Sequence, residues 1–117
     1  MKKDKDKNFT IDIVKYVQNG NTDKVFALTG RPFGQEQRKK HNLDKTEDSF
    51  EKIIITIPDN IIYISSSFFL GMFGDSVRKC NTQEKFKEKY KFNHNGKLNQ
   101  NIEDGINDAL NNENILG

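Results

Sequence analysis

Cysteine is nearly absent from this sequence: Cys80 is the only one in 117 residues, and His41 and His94 are the only histidines. A single cysteine excludes an internal disulfide bond, and these three residues do not have the spacing of zinc ligands. We therefore expect no metal site and no other cofactor.

Long apolar segments are also missing. No run of residues reaches the roughly 18 apolar residues that a membrane-spanning helix needs. The stretch "MKKDKDKNF" begins basic, but the residues after it do not form the apolar segment of a signal peptide. The sequence therefore predicts a chain without a membrane segment, located in the reducing cytoplasm.

Neither sign of charge dominates the composition. The 19 Lys and Arg residues stand against 17 Asp and Glu residues, for a formal net charge of +2. This balance argues against a dedicated nucleic-acid-binding surface. The basic run "RKKH" at 38–41 has acidic residues close by in the sequence, and we interpret it as a solvated helix face.

Aromatic residues, in contrast, are plentiful, with nine Phe and three Tyr. Such large side chains each bury much apolar area, so they can supply a core for a chain of this length. We expect a charged, disordered tail at 1–8 and a single domain at 9–117.

The first half of the chain reads mainly as strands. Apolar patterns predict strands at 9–17 and 25–29, and the Asn-Gly turn between them predicts a hairpin. A short helix is expected at 32–41 and a polar loop at 43–49. The β-branched run at 53–57 predicts a strand buried on both faces, followed by a shorter extended piece at 61–64.

The second half reads mainly as helices. Helical spacing predicts one helix at 67–80, with Cys80 on its apolar stripe, and another at 82–90. A short strand from 91 and a terminal helix around 101–112 complete the chain. The predicted fold class is α/β: a two-layer domain with a small mixed β-sheet of about 4–5 strands and helices packed on it.

Three consecutive serines, Ser65, Ser66 and Ser67, follow the extended piece and open the helix. One reading is a helix cap, because a serine hydroxyl accepts a hydrogen bond from an orphan N–H of the first turn. The other reading is a phosphorylation or partner-contact site, because a helix N-terminus favours negative charge. A catalytic serine is not expected, since "SSSFF" is not a nucleophile elbow and no histidine is near in sequence.

Two further features are open to alternative interpretations. In "GRPFG", Arg31 could bind a carboxylate or phosphate of a partner, with Gly30 and Phe33 beside it. The alternative is a plain strand-to-helix turn, with Gly30 supplying backbone freedom and Pro32 starting the helix. Phe68 is either a half-exposed interface anchor beside the serines or an aromatic partly buried under a loop.

The segment "IIITIPDNIIYISSSFFLGMFGDSV" resembles the central part of STAS domains. It is most similar to the bacterial STAS-like family of unknown function, in which a serine-phenylalanine pair opens the helix. The similarity runs from about Val25 to Leu110 and includes "TGRPFGQEQRKK" and "NIEDGINDAL". It implies the STAS-like version of the two-layer fold given above.

The well-understood relatives of that family are the anti-sigma-factor antagonists. In them a serine that opens this helix is phosphorylated by a kinase-like ATPase, and the unmodified form binds that partner. Their Asp-Ser-Ser-Gly pattern falls here on Ser65, Ser66, Ser67 and Phe68, so the first and last positions differ. The resemblance implies Ser66, and after it Ser67, as the phosphorylation candidates.

These observations lead to a functional hypothesis. The chain is expected to be a non-catalytic protein-interaction module in bacterial signalling that binds a histidine-kinase-like ATPase or anti-sigma factor. The expected contact residues are Gly30, Arg31, Phe33, Ser65, Ser66, Ser67 and Phe68. The alternative is an accessory subunit of an ATPase-containing system that binds a small anion or nucleotide. Exposed edges of a small sheet leave a homodimer open.

Overall fold

The computed structural model describes residues 6–13, 26–94 and 96–116. These residues form five strands and five helices, a mixed α/β arrangement that confirms the predicted class. In chain order they are β1 (Asp6–Asp12), β2 (Phe26–Leu28), α1 (Arg31–Lys40), α2 (Leu43–Ser49), β3 (Phe50–Thr56), β4 (Ile61–Ile64), α3 (Ser66–Cys80), α4 (Gln83–Lys89), β5 (Tyr90–Asn93) and α5 (Asn99–Leu116).

The strands pair in parallel and lie in two sheets, one of three strands in the order β1-β3-β5 and one of two strands, β2-β4. The predicted hairpin of the first two strands is therefore wrong, and a single mixed sheet is not confirmed. Strand β1 pairs instead with β3, and β2 with β4. In these pairs buried apolar residues are neighbours: Ile11 lies beside Ile55, and Leu28 beside Ile64. A local turn signal does not outweigh this burial. Residues 14–25, where the sequence predicts the Asn-Gly turn, lie outside the described residues.

Strand β3 is central, but only one of its faces is fully buried. Ile53, Ile55 and Ile57 are inaccessible to solvent, while Ile54 and Thr56 are half-buried. The expectation that this strand is buried on both faces is therefore wrong. A continuous β-branched run does not distinguish a face that is covered by helices from one that is not.

An aromatic cluster joins the buried face of the sheet to α3. Phe73 contacts Tyr90 and Phe92 of β5 edge-on, with ring centroids 5.6 and 5.3 Å apart. Phe69 packs on Phe73, and Phe86 of α4 stacks on Tyr90 at 4.9 Å. Edge-to-face and offset-stacked pairs of this kind add to the area that the rings bury. Helix α3 is therefore the centre of the fold.

Helices α1 and α3 approach each other closely because glycines face each other across the contact. A Cβ on Gly34 would lie 2.2 Å from the carbonyl oxygen of Phe68, and one on Gly71 would lie 2.3 Å from that of Arg31. Those distances are far below van der Waals contact, and the atoms met are backbone atoms that cannot rotate away. The backbones of the two helices can therefore touch only with glycine at both positions.

Two further predictions of local structure need correction. Strand β1 begins at Asp6, so the last three residues of the predicted tail 1–8 belong to the strand. Residues 43–49 form α2 rather than a loop. The sequence "LDKTEDS" has little helical periodicity, and tertiary contacts rather than helix propensity hold it in place. The predicted helices around 32–41, 67–80 and 82–90 agree with α1, α3 and α4.

The glycine contact gives a direct test. We expect Gly71→Ala to lower the free energy of unfolding by about 1–3 kcal/mol, because the added methyl group forces two helix backbones apart. Gly74→Ala is the matched control: this buried glycine lies in the same helix, and its Cβ would meet only side chains, those of Arg78 at 3.4 Å and Leu70 at 3.7 Å. Alanine there should be neutral or stabilising by up to about 1 kcal/mol. Urea denaturation measures both, and equal stability of the two variants would contradict the close contact.

Candidate functional site

The parallel pairing of β2 with β4 brings the two predicted contact segments together. Parallel strands end at the same edge of a sheet. The junction of β2 with α1, at Gly30, therefore lies beside the junction of β4 with α3, at the serines. The backbone N–H of Ser65 donates to the carbonyl oxygen of Leu28 at 2.9 Å, which joins the two junctions directly. We call the group at this edge the serine rim: Gly30, Arg31, Phe33, Ser65, Ser66 and Ser67.

Ser65 is the cap of α3. Its backbone is extended, its Oγ accepts from the N–H of Phe68 at 3.0 Å, and its carbonyl oxygen accepts from the N–H of Phe69. The carbonyl bond is the first regular bond of the helix, and the hydroxyl satisfies one of the orphan donors of the first turn. The capping interpretation is therefore confirmed for Ser65, and its hydroxyl has a structural role.

The other two serines occupy the first two positions of α3. Ser66 is half-buried and Ser67 is exposed. Since Ser65 already caps the helix, their hydroxyls are not needed for that purpose. Both lie at the edge of the sheet, with Ser67 open to solvent and Ser66 partly so.

The electrostatics of the serine rim favour an anion. Helices α1 and α3 both begin here, and neither carries an acidic residue in its first turn. Each helix N-terminus presents partial positive charge and outward N–H groups. Arg31, at the first position of α1, is exposed and adds a full positive charge.

Phe68 does not lie on this surface. It is 0% exposed, because Gly34 allows α1 to lie directly over it, and Phe33 packs edge-on against it at 5.3 Å. The half-exposed position for Phe68 is therefore wrong, and no partner can touch its side chain in this structure. Gly30 has a φ of 91° and accepts a hydrogen bond from the N–H of Gly34, so it does serve as the turn before α1.

An exposed aromatic that the sequence analysis missed lies beside the rim. The register of β2 and β4 shifts between Phe26 and Ala27, which leaves one extra residue in β4. As a result Ile62 and Tyr63 are both exposed, by 50% and 46%, although they are consecutive in a strand. Strand alternation predicts one inward and one outward side chain, and only the observed bulge reveals that both face solvent.

A second polar site lies farther along α3, where a buried carboxylate collects hydrogen bonds. Glu47 is 7% exposed; its Oε2 accepts from the hydroxyls of Ser76 and Tyr90, and its Oε1 accepts from Lys79 at 3.0 Å. Arg38 completes this group, with its guanidinium 3.8 Å from Oε2 and 2.9 Å from the Ser76 hydroxyl. We call these five residues the Glu47 cluster.

Arg38 corrects the interpretation of the basic run 38–41. It is only 9% exposed and also donates to the carbonyl oxygen of Met72 at 2.6 Å, whereas Lys39 and Lys40 are exposed. A solvated face is therefore wrong for Arg38. Its burial follows from its position: Arg38 comes four residues after Gly34 and therefore lies on the same, buried face of α1.

Ionisation within and beside the cluster follows from these contacts. Burial, together with the adjacent Glu47 carboxylate, raises the pKa of the Tyr90 hydroxyl far above its ordinary value, so Tyr90 stays a proton donor. The hydrogen bond to Glu47 raises the pKa of Lys79. Asp44 is not a member of the cluster but pairs with its Arg38 at 2.6 Å, and this pairing lowers the pKa of the Asp44 carboxyl group. Burial raises the pKa of the Cys80 thiol, which makes it a weak nucleophile.

No protein-family model matches this chain. Neither a curated protein nor a solved structure shows significant similarity to it. Within the described residues, the helices are too short or too polar to cross a membrane. Function is therefore inferred from the serine rim and the Glu47 cluster.

The capping role of Ser65 predicts a selective effect on stability. We expect Ser65→Ala to lower the free energy of unfolding by about 1 kcal/mol, because two N–H groups depend on this residue and the hydroxyl satisfies one of them. Ser67→Ala, at an exposed position of the same turn, is the control and should change stability little. Both are measured by urea denaturation. A larger loss in Ser67→Ala than in Ser65→Ala would show that the cap is assigned to the wrong serine.

The Asp44–Arg38 pair predicts a pH dependence. Since Arg38 holds the pKa of folded Asp44 below its ordinary 3.8, the pair stabilises the fold fully above that pH and progressively less as the pH falls further. The stability difference between wild type and Asp44→Asn should therefore be largest near pH 7 and shrink below pH 3.8. Asp48→Asn removes an acid from the same helix but leaves the bond to Arg38, and serves as the control. A difference that grows on acidification would contradict the pairing.

Proposed function

We propose that this chain is a non-catalytic, STAS-like protein-interaction module in bacterial signalling, and that the serine rim is its partner-binding surface. The observation that carries the proposal is the juxtaposition at one sheet edge of two helix starts, an exposed arginine and two serines that capping does not require. These groups are separated by more than thirty residues in the sequence and have no shared role in the core.

The chemistry of the rim suits binding better than catalysis. Its residues are glycine, arginine, phenylalanine and serine, and none of these side chains can act as a general base for a serine nucleophile. Tyr63, which is exposed and two residues before Ser65, adds an aromatic of the kind that often anchors protein interfaces. It takes the place of Phe68 in the proposed contact surface.

The proposed partner is a histidine-kinase-like ATPase, and the proposed switch is phosphorylation of Ser66, or after it Ser67. A phosphate adds up to about two negative charges, and at this place it would sit at two helix N-termini beside Arg31. The charge of the surface would change from positive to negative. A partner that presents acidic groups to the unmodified rim would then be released.

A comparison of baits tests this proposal. The tagged full chain, its Ser66→Asp variant and a Ser49→Asp control are used to capture proteins from native lysate. Ser49 is an exposed serine at the end of α2, away from the rim. We expect wild type and Ser49→Asp to retain an ATPase of the histidine-kinase type, and Ser66→Asp to lose it.

Different results would reject different parts of the proposal. Equal retention of the ATPase by all three baits would remove Ser66 as the switch. Retention of no ATPase by the wild type would contradict the proposed class of partner. A persistent lack of phosphate on Ser66 and Ser67 in native material, under growth and under stress, would leave both serines without a regulatory role.

The favourable position for an anion also supports the alternative function, an accessory subunit that binds a small anion or nucleotide at the rim. Here the two helix N-termini without first-turn acids would hold a phosphate group directly. A rise in the melting temperature of the wild type with ATP or inorganic phosphate, lost in Arg31→Ala, would favour this alternative. No rise would favour a protein partner.

A further inference from the structure

Helix α2 has almost no apolar attachment to the rest of the fold. Its seven residues, "LDKTEDS", include a single hydrophobic side chain, Leu43, which is fully buried at the first position. Burial of one leucine does not offset the conformational entropy of ordering the whole segment. Other interactions must therefore hold the second half of the helix.

Those interactions are polar, and Glu47 makes most of them. Its carboxylate reaches Ser76 and Lys79 of α3 and Tyr90 of β5, so one side chain ties α2 to two other elements. Hydrogen bonds to a charged acceptor are stronger than neutral ones. Glu47 is the last buried residue of α2 and lies one turn after Leu43, on the same face of the helix.

A lysine from α4 holds the C-terminal end of the same helix. The ammonium group of Lys89 donates to the carbonyl oxygens of Glu47 and Phe50, at 2.7 and 2.6 Å. These carbonyls belong to the end of a helix and the start of the next strand, where intrahelical partners run out. The closed position of α2 therefore depends on charged groups at both ends: Glu47 and Lys89 at the C-terminal half, and the Asp44–Arg38 ion pair at the N-terminal half.

The helix has little stability of its own. It starts from Asn42, which has a left-handed backbone with φ 52° and no side-chain hydrogen bond that caps the helix. Helices of this length are marginal in water without tertiary contacts. Without the polar attachments, residues 42–49 would lack the tertiary contacts that stabilise the helix.

Beneath this helix the structure is not tightly packed. A cavity of about 160 Å³ lies between α2 and α3, lined by residues that include Glu47, Ser76, Cys80 and Tyr90. A larger groove of about 510 Å³ adjoins the cavity and shares Lys79, Cys80 and Lys89 with it. Water at this place can compete for the polar groups that hold α2.

We infer that α2 is a latch: residues 42–49 open as a unit and break the Glu47 cluster while α3 and the β1-β3-β5 sheet stay folded. Glu47 sets how often the latch opens. Opening exposes Ser76 and Cys80 and joins the cavity to the neighbouring groove. Cys80 is the only cysteine and is half-buried when the latch is closed, so opening should appear as labelling faster than that of the closed state.

Native-state hydrogen exchange of the wild-type chain tests the latch. Two amides report α2: the N–H of Thr46 donates to Asn42, and that of Phe50 donates to Thr46. We expect both to exchange through an opening that depends only weakly on urea, as local opening does. The amide of Phe69 in α3 should exchange only through global unfolding. Identical opening free energies and urea slopes for the three amides would overturn the inference, and this outcome requires no variant.

A pair of variants tests the role of Glu47. Glu47→Gln keeps the shape but removes the charge, and should speed exchange of the α2 amides and labelling of Cys80 by about tenfold to a hundredfold. Asp48→Asn removes a charge from the same helix without removing any bond of the cluster, and should leave both rates nearly unchanged. Equal effects of the two variants, or acceleration only through global unfolding, would show that Glu47 does not control a local opening.

Discussion

The close approach of α1 and α3 is the constraint on which both polar sites depend. With Gly34 and Gly71 facing each other, the helix backbones touch, and the starts of α1 and α3 lie side by side at the serine rim. The same approach brings Arg38, one turn farther along α1, to the carbonyl of Met72 and the hydroxyl of Ser76. A wider separation would remove the shared helix starts at one end and the partners of Arg38 at the other.

The serines of helix α3 and its cap have three different environments, which depend on their position along the helix. Ser65 is half-buried at the helix start and caps it, while Ser66 and Ser67 face the edge of the sheet and are left for other roles. Ser76 is buried and transmits hydrogen bonds between Arg38 and Glu47. The rim thus lies at one end of an aromatic-packed helix and the contacts of the Glu47 cluster lie near the other.

Much of the fold could be predicted because its signals are local. The apolar spacing of Phe69, Phe73 and Val77 predicts α3, and Pro32 predicts the start of α1, since helix geometry and helix starts depend on neighbouring residues. The errors occurred where contacts with residues distant in sequence determine the local structure. Helix α2 was missed because its attachments come from α3, α4 and β5, and the hairpin was wrong because each strand found its partner elsewhere.

The sequence by itself determined the α/β class, the main helices and the position of the serines at a strand-to-helix junction. These follow from hydrophobic periodicity and capping chemistry, which act within a few residues. Only the tertiary structure decided that Phe68 is buried, that Tyr63 and Arg31 stand exposed beside the serines, and that Arg38 and Glu47 meet below the surface. Burial and charge pairing are properties of the neighbours that folding brings together, and a side chain's own identity does not specify them.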